Sequence, residues 1–339
     1  MKIKVAQEED KAVWDRLVMD SPNGSLFHTW DFLKLIEKHT GDRLFPLMGI
    51  YRGNPLGVYP LYLEQRRFVR IAFSPPPRTM LLYLGPAISG YDSMHQRKKE
   101  SLLLAFQNSV DAFIQKEMRC NCVKIMTSPG LLDSRPLIWS GYHVEPLSTY
   151  TFDLSDMDKL WQSFDSDVRR GIEKTEKAGV VFREGKKKEY DFLVDSLYKR
   201  LEEQDVRSWD YGPYFDDVYK TFHSKNIKIL AVDYQGETVG GLIHAVYQDR
   251  MSAWIGIPKT NIKGIYPNYL TIWKSMEWAH EHGYRTYEIM DGGDIPRLKE
   301  FKAKFNPDLS VWYSAEKYSS SVYRWAKELS VISKSLFGR

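Results

Sequence analysis

Lys302 is the side chain in this sequence best placed to do chemistry. It lies in the stretch Gly283-Tyr-Arg-Thr-Tyr-Glu-Ile-Met-Asp-Gly-Gly-Asp-Ile-Pro-Arg-Leu-Lys-Glu-Phe-Lys-Ala-Lys-Phe-Asn-Pro307. Leu298, Phe301 and Phe305 fall on one helical face, and at about 100° per residue Lys302 sits roughly 70° from the centre of that stripe. A lysine so placed can lean over a pocket; a solvated lysine on an ordinary surface helix is the competing reading. Just upstream, Tyr287, Glu288 and Asp291 crowd a short apolar run that ends in Gly292-Gly293. A carboxylate or phenol there could take a proton from an attacking group. Against that role, Glu288 could simply alternate outward and Asp291 could only shape the glycine turn.

Two basic segments come next. Residues 165–188 carry Arg169, Arg170, Lys174, Lys177, Arg183 and Lys186 to Lys188, and residues 297–305 carry Arg297, Lys299, Lys302 and Lys304. Arginine forks onto phosphate and lysine neutralises it as a point charge, so the two segments suit a phosphorylated ligand if they converge. Taken singly, each reads as a solvated helix face. No Gly-x-Ser-x-Gly elbow, Walker loop, dinucleotide fingerprint or His-Glu-x-x-His helix is present. The eight histidines are scattered, and no metal site is expected.

The elements that position these residues read as two similar halves. In the first, a strand at 2–6 and helices at 8–18 and 26–38 precede a hairpin turning at Arg52-Gly53-Asn54-Pro55. The Pro-rich insertion Ser74-Pro-Pro-Pro-Arg78 comes before a strand expected at 80–84. A helix at 100–118 and the strand Cys122–Met126 follow. The second half has helices at 164–179 and 191–203 and a hairpin turning at Tyr234-Gln-Gly-Glu237. A strand at 250–256, a helix capped by Asn268 and running to His282, and the strand Tyr287–Met290 complete it. Hairpin, helix and strand thus recur in the same order, with Lys124-Ile-Met126 matching Glu288-Ile-Met290. The expected fold class is α/β with α+β character, a mixed and largely antiparallel sheet flanked by helices in each half. Domains are expected at 1–146 and 147–318, with a C-terminal amphipathic helix at 319–339 that could touch a membrane surface.

Composition sets the outer limits. The 339 residues are 43% hydrophobic and 27% charged, with a net charge of +4. That balance mildly favours an anionic ligand and falls short of a DNA-binding stripe. Cys120 and Cys122 are the only cysteines, read as free thiols of a reducing compartment. No signal-peptide core and no run of about 18 apolar residues is present, so a cytoplasmic protein is expected, with peripheral membrane contact through the last helix as a further option.

Several of these stretches resemble one family. Arg169-Arg-Gly-Ile-Glu-Lys-Thr-Glu-Lys-Ala-Gly-Val180, Pro267-Asn-Tyr-Leu270 with its helix and Gly283, the Gly-Gly turn, Phe301-Lys-Ala-Lys-Phe305 and Leu26-Phe-His-Thr-Trp-Asp-Phe32 look like the FemABX-like, GNAT-related acyltransferases. The resemblance covers nearly the whole chain and implies two GNAT-like domains. It further implies transfer of an acyl or aminoacyl group to an amine or hydroxyl of a cell-envelope glycan, lipid-linked or nucleotide-linked precursor, as in polysaccharide biosynthesis. The donor would be acyl-CoA such as acetyl-CoA, with aminoacyl-tRNA, and hence tRNA as a partner, as the alternative; a non-catalytic glycan- or partner-binding protein is the third reading. Lys302 would stabilise the charge of the tetrahedral intermediate. Arg169 or Arg170 would hold an anionic part of a substrate, with Tyr287, Phe301, Lys34 and Trp30 as further substrate contacts. Thr175 departs from the family's usual alanine. Residues 181–226 are too few for the long paired-helix arm of some aminoacyl-transferring members.

Overall fold

The computed structural model describes residues 1–131, 133–203, 211–256, 262–290 and 296–319. In chain order, the first half holds β1 (Lys2–Val5), α1 (Lys11–Met19), α2 (Trp30–Thr40), β2 (Arg43–Tyr51), β3 (Asn54–Arg66), β4 (Val69–Ser74) and β5 (Ala87–Ile88). It continues with α3 (Gln96–Phe113), β6 (Cys122–Met126), α4 (Arg135–Trp139) and β7 (His143–Asp153). The second half holds α5 (Met157–Ser163), α6 (Ser166–Lys177), β8 (Val181–Glu184), α7 (Lys187–Glu203), α8 (Gly212–Phe222) and β9 (Ile227–Tyr234). After these come β10 (Glu237–Tyr247), β11 (Arg250–Gly256), α9 (Pro267–Glu281), β12 (Thr286–Ile289), α10 (Pro296–Ala303) and β13 (Asp308–Tyr318). The chain divides into two compact units, one of Met1–Leu147 with the chain from Val311 onward, the other Ser148–Ser310.

Each unit repeats one plan. In the first, β2 and β3 form a hairpin, β4 runs antiparallel to β3, and β6 lies parallel to β4 from Ile71↔Cys122 to Ser74↔Ile125. In the second, β9 and β10 form the hairpin, β11 is antiparallel to β10, and β12 lies parallel to β11 from Arg250↔Thr286 to Ala253↔Ile289. A parallel pair needs a long crossover, which α3 and α9 supply. The hairpin turns carry left-handed residues at Arg52-Gly53 and Gln235-Gly236, which suits the twist of a two-residue loop.

In each unit the strand beside β6 or β12 on its other side comes from elsewhere in the chain. Residues Tyr150–Asp153 of β7 pair antiparallel with β12, and Ser314–Tyr318 of β13 pair antiparallel with β6. The sequence pattern assigns no strand between residues 126 and 164 and places 311–318 in the second domain. Tyr150–Asp153 alternates aromatic and polar residues but Val311–Tyr318 does not, and each strand is brought in over a sequence separation that local pattern cannot show.

Two further expectations change. Residues 80–84 form no strand; β4 lies earlier, where Val69, Ile71 and Phe73 alternate with Arg70 and Ala72. Asn268 does not cap α9: the cap position is Tyr266, with Pro267 at the first helical position, where its missing N–H costs nothing. In the second unit one core packs Val168 and Ile172 of α6, Leu270, Trp273 and Met276 of α9, and Tyr287 and Ile289 of β12. Phe215 of α8 meets Trp254 of β11 at a ring separation of 5.7 Å. Cys120 and Cys122 form no disulfide and are buried, and burial pushes the Cys120 thiol up to about 11.

Candidate active site

The parallel ladder of β11 and β12 stops at Ala253↔Ile289, although β11 runs on to Gly256 beside β10. The cause is a bulge: the β10–β11 register shifts between Ile243 and His244, opposite Trp254. A bulge bends and twists its strand, which turns β11 away from β12. The backbone of β12 therefore reaches Met290 beyond the last ladder pair.

Lys302 fills that position. Its Nζ donates to the Met290 carbonyl at 2.8 Å and lies 5.9 Å from the centre of the Tyr150 ring. The side chain is only 8% exposed, so the ammonium is held in a largely dehydrated place where its field is strong. This departs from the rim position that helical spacing predicts. α10 ends at Ala303, and Phe305, which is fully buried, lies past the helix end instead of one turn along the stripe. With Phe305 packed from the turn, the helix rotates Lys302 inward and leaves Phe301 half-buried.

Alternation on β12 separates the other two candidates. Glu288, 1% exposed, accepts a hydrogen bond from Ser252 Oγ at 2.8 Å, and it shares a face with Met290. Tyr287 points the other way into the core, where its hydroxyl and His244 Nε2 share a hydrogen bond of 2.9 Å. Burial lowers the His244 imidazole to about 3, so it is neutral, and burial raises the Tyr287 phenol. Both residues are buried, and Tyr287, expected as a substrate contact, lies on the face of β12 opposite Glu288, against His244. Asp291 and the Gly292-Gly293 turn lie outside the described residues.

The two basic segments do meet, at one end. Asp165 N donates to Lys304 O at 2.9 Å, and Lys304 Nζ pairs with Asp167 at 3.0 Å, fastening the end of α10 to the start of α6. Arg169 gives Nη1 to Gln162 at 2.8 Å, and its buried Nε has no partner among the described residues; Arg170 is exposed. At the far end Arg183 binds Asp233 at 2.5 Å and Glu189 at 3.0 Å, and Lys187 bridges Asp191 and Asp216, so these cations serve the fold.

The first-unit candidates are engaged locally. Lys34 pairs with Glu37 three residues along α2. Trp30, expected as a substrate contact, is 3% exposed, its indole donating to Glu8 at 2.9 Å and packing edge-on against Trp14. Sequence reasoning missed Ser252, Tyr150 and His244. Only the first carried a local signal, a polar residue inside the apolar run of β11.

Among the described residues no cluster of metal-ligating side chains occurs, and no helix is long and apolar enough to cross a membrane. The expected C-terminal helix lies almost wholly outside the described residues.

Residues 162–303 match the family described as acetyltransferase (GNAT) domain. No curated protein matches the chain. Among solved structures, FemX is similar over 92% of this chain and 97% of its own, with a TM-score of 0.69 and 14% identity. L-PGS from Bacillus licheniformis is similar over 99% of both chains, with a TM-score of 0.56 and 15% identity. A tandem GNAT protein from the clavulanic acid biosynthesis pathway covers 94% of this chain and 98% of its own, with a TM-score of 0.54 and 10% identity. At such identities the likeness is one of fold. The GNAT match lies inside the second unit, and the fold of the chain is the one seen in FemX and in a tandem GNAT protein.

Proposed function

We propose that the chain transfers an acyl group from an activated donor to an amine or hydroxyl, with the chemistry at the end of β12 in the second unit. One observation carries the reading: a buried lysine fixed on the Met290 carbonyl where the parallel ladder ends. The nucleophile attacks the donor carbonyl, the new C–N or C–O bond forms, and the carbonyl oxygen takes the negative charge. Lys302 offers that oxygen a cation already oriented, so little reorganisation is needed in the transition state. Glu288 is the proton acceptor in this scheme, held by Ser252. As the intermediate collapses, the bond to the leaving group breaks and the leaving group takes up a proton. Arg170, exposed near the start of α6, is the candidate for an anionic part of a substrate.

The donor proposed first is acyl-CoA. α7 and α8, of 17 and 11 residues, bury Leu193, Val194, Phe215 and Val218 instead of projecting as a paired arm, which favours it over a tRNA. Aminoacyl-tRNA is the second reading, carried by the fold shared with FemX and L-PGS. The acceptor class, an envelope glycan, lipid-linked or nucleotide-linked precursor, rests on likeness of motif and fold.

A thermal-shift panel separates the donors, because a ligand at 100 times its Kd stabilises a protein by about 2.7 kcal/mol. A shift with acetyl-CoA or a longer acyl-CoA is expected. A shift with charged tRNA alone would reverse the order, and turnover unchanged in Lys302→Ala would remove that residue from the mechanism.

A further inference from the structure

The hairpin of β3 and β4 turns on two residues, Arg67 and Phe68, after the pair Arg66↔Val69. Phe68 is 94% exposed, whereas the next most open large apolar side chain among the described residues, Leu309, is 63% exposed. Scattered apolar residues on a surface are ordinary, but a two-residue turn favours glycine, asparagine or aspartate. The other two-residue turns among the described residues comply, with Arg52-Gly53, Gln235-Gly236 and Gln248-Asp249. The Phe68 turn also stands clear of its neighbours. β2 begins at Arg43, level with Leu63 of β3, and β6 begins at Cys122, level with Ile71 of β4. Two or three residues of each hairpin strand therefore run on past the sheet, a reach of roughly 7–10 Å. In the second unit Arg250 and Thr286 open β11 and β12 level with each other, and the turn follows at once. Two extra pairs, Gln65↔Arg70 and Arg66↔Val69, carry the first unit's tip outward.

Cations surround this tip. Residues 64–70 and 115–121 carry Arg66, Arg67, Arg70, Lys116 and Arg119 against Glu64 and Glu117. The two stretches join at Asn121, whose amide donates to Arg70 O at 2.7 Å and whose side chain accepts the Arg70 amide at 2.8 Å. Glu64 is taken up by Arg66 at 2.5 Å and Arg78 at 3.6 Å. Arg67, Lys116 and Arg119 are exposed and enter no ion pair among the described residues. Ser319 donates its amide to Asn121 O at 2.9 Å, so residues 320–339 leave the unit from this same end. They hold Arg324, Lys327, Lys334 and Arg339 against Glu328, with Val322, Trp325, Leu329, Ile332 and Leu336 spaced three or four apart.

We propose that the β3–β4 tip docks on an anionic lipid surface, with Phe68 entering the boundary between headgroups and acyl chains. The arginines and Lys116 meet the lipid phosphates above it. An apolar ring held in water at the end of a paired hairpin gains by burial, and interfacial elements sink about 5–10 Å, comparable with the reach of the tip. Each cation close to such a surface strengthens binding about fivefold. The tip offers one ring and no groove, which suits a soft layer better than a shaped protein or a nucleic-acid strand. The inference stands apart from the acyl-transfer reading, because docking is measured without turnover.

Sedimentation of the full chain with vesicles of phosphatidylcholine and phosphatidylglycerol in equal parts tests the proposal. Binding should be lost on vesicles of phosphatidylcholine alone and should weaken with salt. Phe68→Ser keeps the charge and should bind about tenfold more weakly, and Arg67→Glu should lose at least as much. Arg52→Glu makes the same change of charge at the opposite end of β3 and should bind nearly as the wild type does. With the two native cysteines buried, Phe68→Cys can carry an environment-sensitive fluorophore, whose emission should shift to the blue on the anionic vesicles. No binding by the wild type overturns the proposal. So does binding by Phe68→Ser equal to that of the wild type, which assigns the membrane contact to another part of the chain. Equal losses from Arg67→Glu and Arg52→Glu reduce the contact to overall charge and overturn it as well.

Discussion

The ends of the two parallel strand pairs occupy the same place in the repeat and are finished in opposite ways. By register, Phe73↔Lys124 and Ser74↔Ile125 correspond to Ser252↔Glu288 and Ala253↔Ile289, so Met126 corresponds to Met290. In the first unit the Met126 carbonyl accepts the backbone amide of Leu84 at 2.8 Å; in the second the Met290 carbonyl accepts Lys302 Nζ at 2.8 Å. One is closed by main chain, the other by a cation.

The closure of the first unit is thorough. β4 stops at Ser74 because three prolines follow, and proline brings no amide to a ladder. The chain then returns, with Leu84 bridged to Thr127 and the Gly85 amide donating to Ser74 Oγ at 3.0 Å. Asn23 donates to Pro86 O at 2.7 Å and to Ser128 Oγ at 3.0 Å, and His28 Nε2 donates to Leu84 O at 3.1 Å. Burial holds the His28 imidazole down to about 4, so it stays neutral and structural. A buried, fully bonded segment has no room for a donor carbonyl. The lesson is that the Pro-rich insertion is a plug, and that an identical topology becomes a candidate active site only where a side chain, not backbone, terminates the strand.

The contrast is broken or sharpened by five changes. Lys302→Ala should lower kcat by about 10² to 10³-fold, the range for losing one oxyanion donor, while far-ultraviolet dichroism stays native. Glu288→Gln keeps the shape and the Ser252 contact but removes the proton acceptor; kcat should fall by about 10²-fold at saturating donor. In the first unit His28→Leu should cost about 1–3 kcal/mol in urea denaturation by leaving Leu84 O and Ser25 Oγ without their partner, with kcat unchanged. A drop in kcat there would mean that the plugged unit takes part in catalysis.

Acid should weaken the second unit through Glu189. The Arg183 guanidinium beside it holds its carboxyl down to about 2 from an ordinary 4.5. A depressed folded value means that stability is present above pH 4.5 and is lost as pH falls toward 2. Because Arg183 is partly exposed, the loss should be on the order of 1–2 kcal/mol, read from urea midpoints against pH, and Arg183→Met should shrink that slope to the part due to the Lys186 amide. The smallest effect belongs to Lys124→Ala, the counterpart of Glu288, which loses a half-exposed ion pair to Glu316 at 2.7 Å. It should change stability by less than about 1 kcal/mol and leave transfer untouched.

Much of this was legible in the chain. The hairpins at Arg52-Gly53 and Gln235-Gly236, the crossover helices α3 and α9 and the strand pair β6 and β12 all follow from turn residues and periodicity, which are local. The motif Phe301-Lys-x-x-Phe305 marked Lys302, and Tyr287 to Met290 marked the strand that supports it. β4 lies before the prolines and not at 80–84, because its place is set by pairing with β3 and β6, which residues 80–84 do not share. The burial of Tyr287 and Trp30 is not legible in the sequence, because an aromatic's type does not say which face it takes.

What the sequence by itself determined is the order of elements, the duplication and the residue types gathered at the second strand end, because these depend on contacts within a few turns of chain. The tertiary structure alone decided three matters: that β7 and β13 complete the sheets, that residues 84–88 close the first strand end, and that Lys302 turns inward onto Met290. Each joins residues far apart in sequence through one hydrogen bond or one packed ring, and the strength of such a bond depends on the burial around it, which no local pattern of residues contains.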